Sequence, residues 1–182
     1  TSTPDNCNAN AGVITAVASG GTAPYTYQYL VCGTPAPVAS SPGWIASNTF
    51  NAENGCYDVY VKDAFGCIRT VPVTIALDPT PVVAANIANA CATQNNFAIN
   101  VTLPTAGIAP YSFSIDGGAY QVRVPPFTIS GLSSGTHTVQ VRDNNGCGNL
   151  VSVTILAPLS ASAAFTTQRT CRNAYGTITV VA

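Results

Sequence analysis

The chain has 182 residues, of which 47% are apolar and only 7% are charged, with six Lys and Arg against seven Asp and Glu. An ordinary soluble domain is about 25% charged. So few cations cannot build a patch that holds nucleic acid, no run of 18 or more apolar residues reads as a membrane span, and the wealth of Val, Thr, Ile, Tyr and Ala excludes a disordered chain. The polar surface must come from Thr, Ser, Asn and Gln. That is the composition of an extracellular structural protein, and it carries little charge repulsion against self-association.

Seven cysteines accompany a single histidine. No Cys-x-x-Cys pair and no Cys/His cluster is present, so no metal and no other cofactor is expected. Persistent disulfides need an oxidising compartment, which makes this an exported protein. With no signal peptide in front, the chain reads as a mature or internal segment.

In chain order, the first strand signal with clean alternation is Tyr25, Tyr27 and Tyr29. Next comes a segment between Cys32 and Cys56 that holds Pro42, Gly43, Trp44 and Ile45. In Tyr57-Asp58-Val59-Tyr60-Val61-Lys62 the odd positions share one face, and a period of two marks a strand with one buried side. The turn Asp63-Ala64-Phe65-Gly66-Cys67 follows, then Val71, Val73 and Ile75 on one face of another strand. Pro72 in that strand lacks a ladder donor, which predicts an edge position. Asp78-Pro79-Thr80-Pro81 reads as a stiff linker.

The series then repeats. Ala23-Pro24-Tyr25-Thr26-Tyr27 returns as Ala109-Pro110-Tyr111-Ser112-Phe113, and the Asp63–Cys67 turn returns as Asp143-Asn144-Asn145-Gly146-Cys147. Tyr57–Lys62 returns as His137-Thr138-Val139-Gln140-Val141-Arg142, and the last strand as Val151, Val153 and Ile155 before Leu156-Ala157-Pro158. Asp116-Gly117 predicts a type I′ hairpin turn. Cys91 opens the second copy as Cys7 opens the first, and Cys171-Arg172-Asn173-Ala174-Tyr175-Gly176 opens a third. Short strands about ten residues apart with Gly and Pro turns predict an all-β protein of tandem immunoglobulin-like β-sandwich repeats, stapled by disulfides. The expected units are residues 1–79, 80–158 and a truncated 159–182.

Repeat symmetry also predicts the cysteine pairing. Cys7 and Cys67 bracket the first copy, and Cys91 and Cys147 bracket the second, which suggests the bonds 7–67 and 91–147. Cys32 and Cys56 have no counterparts in the second copy, so they pair with each other. Cys171 remains unpaired. Loops of this size closed by a disulfide stabilise each unit by roughly 4 kcal/mol in the chain-entropy model.

The ordered pattern of Cys7, Gly12, Ile14, Gly20-Gly21-Thr22, Pro24-Tyr25, Tyr27, Gly55, Tyr57, Val59, Val61, Asp63, Gly66-Cys67, Val73, Ile75 and Pro79 resembles the SprB-type repeat of very large surface adhesins in Bacteroidetes. The second copy departs from it, with Thr105-Ala106-Gly107-Ile108 in place of Gly-Gly-Thr and His137 in place of Tyr57. The resemblance implies export by the type IX route, a place in cell-surface filaments, and roles in adhesion and gliding motility.

No catalytic residues are expected. His137 is the lone histidine, and a sibling repeat has tyrosine there, so it reads as a structural residue. Asp63 and Asp143 could offer calcium one carboxylate each, where calcium wants 6–8 oxygens; capping of their own turn fits better. Lys62 sits on an outward strand position, away from any isopeptide role. The acids stand one by one, without the facing pair that glycoside hydrolysis needs. Trp44, on a stapled loop, is the one candidate binding residue. The expected role is that of a structural or adhesive segment of an extracellular filament. Its partners would be neighbouring repeats or other copies, with surface glycans as further candidates. The alternatives are a carbohydrate-binding module, with Trp44 and the tyrosines Tyr25, Tyr27 and Tyr29 as platform, or the accessory region of a secreted enzyme.

Overall fold

The computed structural model describes residues 1–167 and 177–181. It is all-β, with no helix among the described residues. Six strands lie before residue 77: β1 (Ser2–Thr3), β2 (Gly12–Thr15), β3 (Thr26–Val31), β4 (Thr49–Ala52), β5 (Gly55–Lys62) and β6 (Ile68–Ile75). They form two three-stranded sheets, ordered β1-β2-β4 and β3-β5-β6. Ile14 and Ala52 from one sheet meet Tyr27, Tyr29, Val59 and Ile75 from the other in a single core. Gly12 lets the sheets approach, since a Cβ there would lie 2.7 Å from both the Ala52 carbonyl oxygen and the Ile75 Cγ2.

The second set is β7 (Val82–Ile87), β8 (Phe97–Thr105), β9 (Ser112–Ile115), β10 (Gln121–Val122), β11 (Phe127–Leu132), β12 (Gly135–Arg142) and β13 (Leu150–Ile155). Its sheets are ordered β11-β8-β7 and β10-β9-β12-β13. Phe97, Ile99 and Val101 of β8 pack on Phe113, Val139, Val141 and Ile155 of the opposing sheet, each with almost no exposure. The last two strands, β14 (Ser162–Thr167) and β15 (Thr177–Val181), pair antiparallel. Cys171 lies outside the described residues.

The alternation read from the sequence is the pattern that folds. His137, Val139 and Val141 are buried, while Arg142 is exposed. Pro72 sits on β6, at the edge of its sheet. Asp116 and Gly117 have φ of 50° and 72°, and the Gly118 amide donates to the Ile115 carbonyl at 2.9 Å, as a type I′ turn requires.

Two positions differ. Val71 is 60% exposed although it shares a face with Val73 and Ile75. In the second unit β7 packs along β13, but β1 is only two residues long, and its Ser2 hydroxyl meets the carbonyl of Thr74. Tyr60, expected outward, is buried. The segment between Cys32 and Cys56 lies over that outer face: Gln28 donates to the Pro42 carbonyl, and Lys62 donates to the Ala39 carbonyl.

Strand direction gives each unit two distinct ends. β5 runs from Gly55, opposite Ile75, to Lys62, opposite Thr26 and Ile68. The β5–β6 turn and the β2–β3 connection therefore lie at one end, the head. The β1–β2 loop, the β4–β5 connection and the exit of β6 lie at the other, the tail. The linker after β6 leaves the tail of the first unit and enters the second beside the end of β8, where Val82 pairs with Thr105. That is the head of the second unit, the end that carries the β12–β13 turn.

This polarity overturns the expected pairing of Cys7 with Cys67 and of Cys91 with Cys147. Cys7 is in the tail loop and Cys67 in the head turn, separated by the length of an eight-residue strand, roughly 25 Å. A disulfide needs Cα atoms about 5.5–6 Å apart. Cys7 instead bonds Cys147 of the second unit, and Cys67 and Cys91 are exposed free thiols. The Cys32–Cys56 bond is present as expected.

Candidate functional site

The head turn of each unit is organised by one aspartate. Asp63 Oδ1 accepts from the amides of Phe65 at 3.0 Å and Cys67 at 2.9 Å, while Oδ2 accepts from Thr22 at 3.2 Å. Asp143 repeats this, taking the amides of Asn145 and Cys147 at 2.9 Å each and Ile108 at 3.1 Å. Gly66 and Gly146 close the turns with φ of 83° and 80°, a region that favours glycine. The cradle survives the change from Gly-Gly-Thr to Ala106-Gly107-Ile108, because it uses the backbone amide of Thr22 or Ile108 and not the side chain. The hydrogen bond from the Cys67 amide leads the contacts that hold the Asp63 carboxyl below the usual carboxylate range.

The tail loop is organised by a different aspartate, Asp5, which sequence reasoning missed. It is 3% exposed. Its carboxylate accepts from Asn54 at 2.8 Å and Ala11 at 3.1 Å. Its backbone is bonded to both Ala76 and Asp78 of the linker. The Asn54 amide is the leading cause of its lowered pKa. The available signal was the run Asp5-Asn6-Cys7-Asn8, a cluster of turn-forming residues just before β2.

Head and tail meet at the joint. Cys7 and Cys147 are linked with Cα atoms 5.7 Å apart, and the Cys7 amide also donates to Cys147 Sγ at 3.2 Å. Asn8 Nδ2 donates to the Asn145 carbonyl, and Asn145 Nδ2 donates to Asp78 Oδ2, each at 3.2 Å. Pro81 of the linker is fully buried there. A Cβ on Gly107 would lie 2.5 Å from Pro81 Cδ, so only glycine admits this contact. The joint combines a covalent bond, a short proline-bearing linker and polar contacts between units.

The other expected site residues fall elsewhere. His137 is 8% exposed on β12, with Nδ1 at 2.8 Å from Asp116 Oδ2 and Nε2 at 3.0 Å from the Ser133 carbonyl. Both neighbours are acceptors, so both ring nitrogens donate only in the imidazolium form. The Asp116 hydrogen bond is the main cause that raises the His137 pKa, against opposing burial. Asp116 is itself lowered: burial works against its ionisation, and the bonds from His137 and Thr138 outweigh it.

Trp44 is half-buried. Its Nε1 donates to the Val38 carbonyl at 3.3 Å, and Lys62 Nζ lies 4.5 Å from its ring centroid. Tyr27 and Tyr29 are buried in the core, with Tyr29 stacked on Phe50. These side chains are engaged within the fold and are not brought together as an open platform.

No curated protein matches the chain. Among the described residues, no helix is long and apolar enough to cross a membrane. The family model of the SprB repeat matches residues 1–29, a span that contains β1, the Cys7 tail loop, β2 and the Pro24-Tyr25 element; over that span the chain is similar to a repeat associated with cell-surface proteins of Bacteroidetes.

Proposed function

We propose that this chain is a mechanical segment of an extracellular, cell-surface filament, built of immunoglobulin-like sandwiches and without chemistry of its own. The strand orders β1-β2-β4 over β3-β5-β6, and β11-β8-β7 over β10-β9-β12-β13, support the immunoglobulin-like reading. The units correspond to residues 1–79 and 80–158, with further repeat sequence in 159–182. The SprB match supports the surface location, and through the resemblance it supports adhesion, gliding and export by the type IX route.

The single observation that carries the reading is the Cys7–Cys147 bond across the joint. A flexible linker alone would let two units swing freely. A disulfide beside a proline-bearing linker holds the tail of one on the head of the next, so the pair transmits force as one rod. The chain's task is then to project whatever a longer filament carries. Small-angle scattering tests this. A rod gives one extended, concentration-independent particle whose dimensions change on reduction, and scattering from two independently tumbling units in the oxidised protein would overturn it.

A further inference from the structure

We infer that the open cleft at the head of the first unit is the seat of an extended strand that runs directly into Thr1, with a proline and an inward apolar side chain placed as Pro81 and Val83 are in the second unit. This holds whatever the mechanical role of the chain, since it needs only that the two sandwiches share one plan.

The second unit has this seat filled. The start of β7 lies along the end of β8, with Ala85 opposite Val101, Ala84 opposite Thr102 and Val82 opposite Thr105. Pro81 is fully buried beside Gly107. Val83 is 2% exposed, and its amide donates to Asn149 Oδ1 at 2.7 Å. Val101 and Val141, in the same core cluster, have no exposure.

The first unit has the same seat, open. A cleft of about 660 Å³ is lined by Val17, Gly21, Tyr25, Val61, Asp63 and Arg69. The core isoleucine of β2, Ile14, faces Ser2, as Ile99 of β8 faces Ile87. On that register Thr1 answers to Asn86, and residues 81–85 answer to positions directly ahead of Thr1. Thr1 is held on Thr15 by a backbone bond in each direction, at 2.9 and 3.0 Å. β1 is antiparallel to β2, so its line carried back through Thr1 passes Val17 and Ala18, two walls of the cleft. The glycine that receives the proline is present too. A Cβ on Gly21 would lie 2.9 Å from Asp63 Oδ2, as one on Gly107 would lie 2.6 Å from Asp143 Oδ2.

The apolar walls are bare where their counterparts are covered. Val61 is only partly buried, although Val141 is fully buried. Val17 is 87% and Val71 60% exposed, whereas Val151 packs against its core. Covering such surface gains about 25 cal/mol per Å², and the free edge of β2 offers backbone groups for strand addition. One contact must differ. Arg69 stands opposite Val61, as the Asn149 carbonyl meets the Val141 amide. Arginine only donates, so the incoming strand meets it with a carbonyl in place of the Val83 amide. A strand from another molecule would have to stop against the Thr1 ammonium. One joined to Thr1 continues through it in register, at high effective concentration.

The test joins a copy of residues 78–85 ahead of Thr1 in the full chain. A second variant has the same extension with Pro81→Gly and Val83→Asp in the copy only, and the unextended chain is the reference. Hydrogen–deuterium exchange is read by mass spectrometry, and urea unfolding of the first unit is followed in parallel. The unaltered extension should slow exchange at Val17 and Ala18 by about tenfold or more and raise the urea midpoint, and the altered one should do neither. Exchange across β8 should be alike in all three, which shows that each protein folds. No change with the unaltered extension, or equal protection from the altered one, overturns the inference. Protection in the unextended chain that grows with protein concentration would put a second copy in the cleft, and overturns it as well.

Discussion

Cys7 and Cys147 are 140 residues apart in sequence and bonded in space, whereas Cys7 and Cys67, which bracket the same unit, lie at opposite ends of it. The bond therefore does not staple a sandwich shut. It fixes the angle between one sandwich and the next.

Replacing Cys7 and Cys147 together by serine should leave each core intact, since no core residue of either sheet pair is removed. The joint should loosen, and the unfolding free energy should fall by at most about 5 kcal/mol, the chain-entropy value for a loop of this size. Urea denaturation followed by near-UV circular dichroism measures the loss. Scattering of the same variant should show a broader distribution of inter-unit distances.

Asp143→Ala removes a buried carboxylate that serves three amides. The expected cost is about 2–3 kcal/mol, because buried donors lose their acceptor. Asp63→Ala breaks the same bonds on an open head. There water replaces the carboxylate, so the loss should be smaller. Parallel urea titrations of the two variants compare them directly.

The His137–Asp116 pair gives a pH dependence of definite sign. The folded pKa of His137 is raised above its ordinary value of 6.5, so its contribution is full below that value and fades as pH rises through the folded pKa. Asp116 is lowered from 3.8, so its contribution is present above that value and fades as pH falls through the folded pKa. The pair should thus stabilise the second unit most between the two ordinary values. Asp116→Asn should flatten the histidine arm of a stability-against-pH curve, measured by thermal melts across that range.

Replacing Cys32 and Cys56 by serine should cost about 3 kcal/mol by loop closure. It should also free the segment that lies over β3 and β5. Tyr60 would gain solvent access, and the indole of Trp44 would leave Lys62 and Val38. A red shift of tryptophan emission reports this, and the Trp is unique in the chain.

Much of the fold was legible because a two-residue period leaves little choice. Val139 and Val141 must face one way if Thr138 and Gln140 face the other. The Cys32–Cys56 bond was legible because both residues are missing together from the second copy. The Cys7–Cys147 bond was not, because repeat symmetry shows only that equivalent cysteines behave alike. It is equally satisfied by a bond within each unit and by a bond from each unit to the next. Strand direction separates the two, and it places Cys7 and Cys67 at opposite ends. Tyr60 and Val71 were misread for a related reason: alternation names a face but not what covers it. Burial of Tyr60 depends on the stapled insert, and exposure of Val71 on the two-residue β1. The Asp63 and Asp143 turns were read correctly as self-capping, while Asp5 escaped notice because its partners Asn54, Ala76 and Asp78 are distant in sequence.

The most direct trial of the account is a disulfide map of the non-reduced protein, digested after free thiols are blocked at low pH. It should yield a peptide joining Cys7 to Cys147 and another joining Cys32 to Cys56, with Cys67 and Cys91 alkylated in the monomer. Peptides joining Cys7 to Cys67 and Cys91 to Cys147 would contradict it.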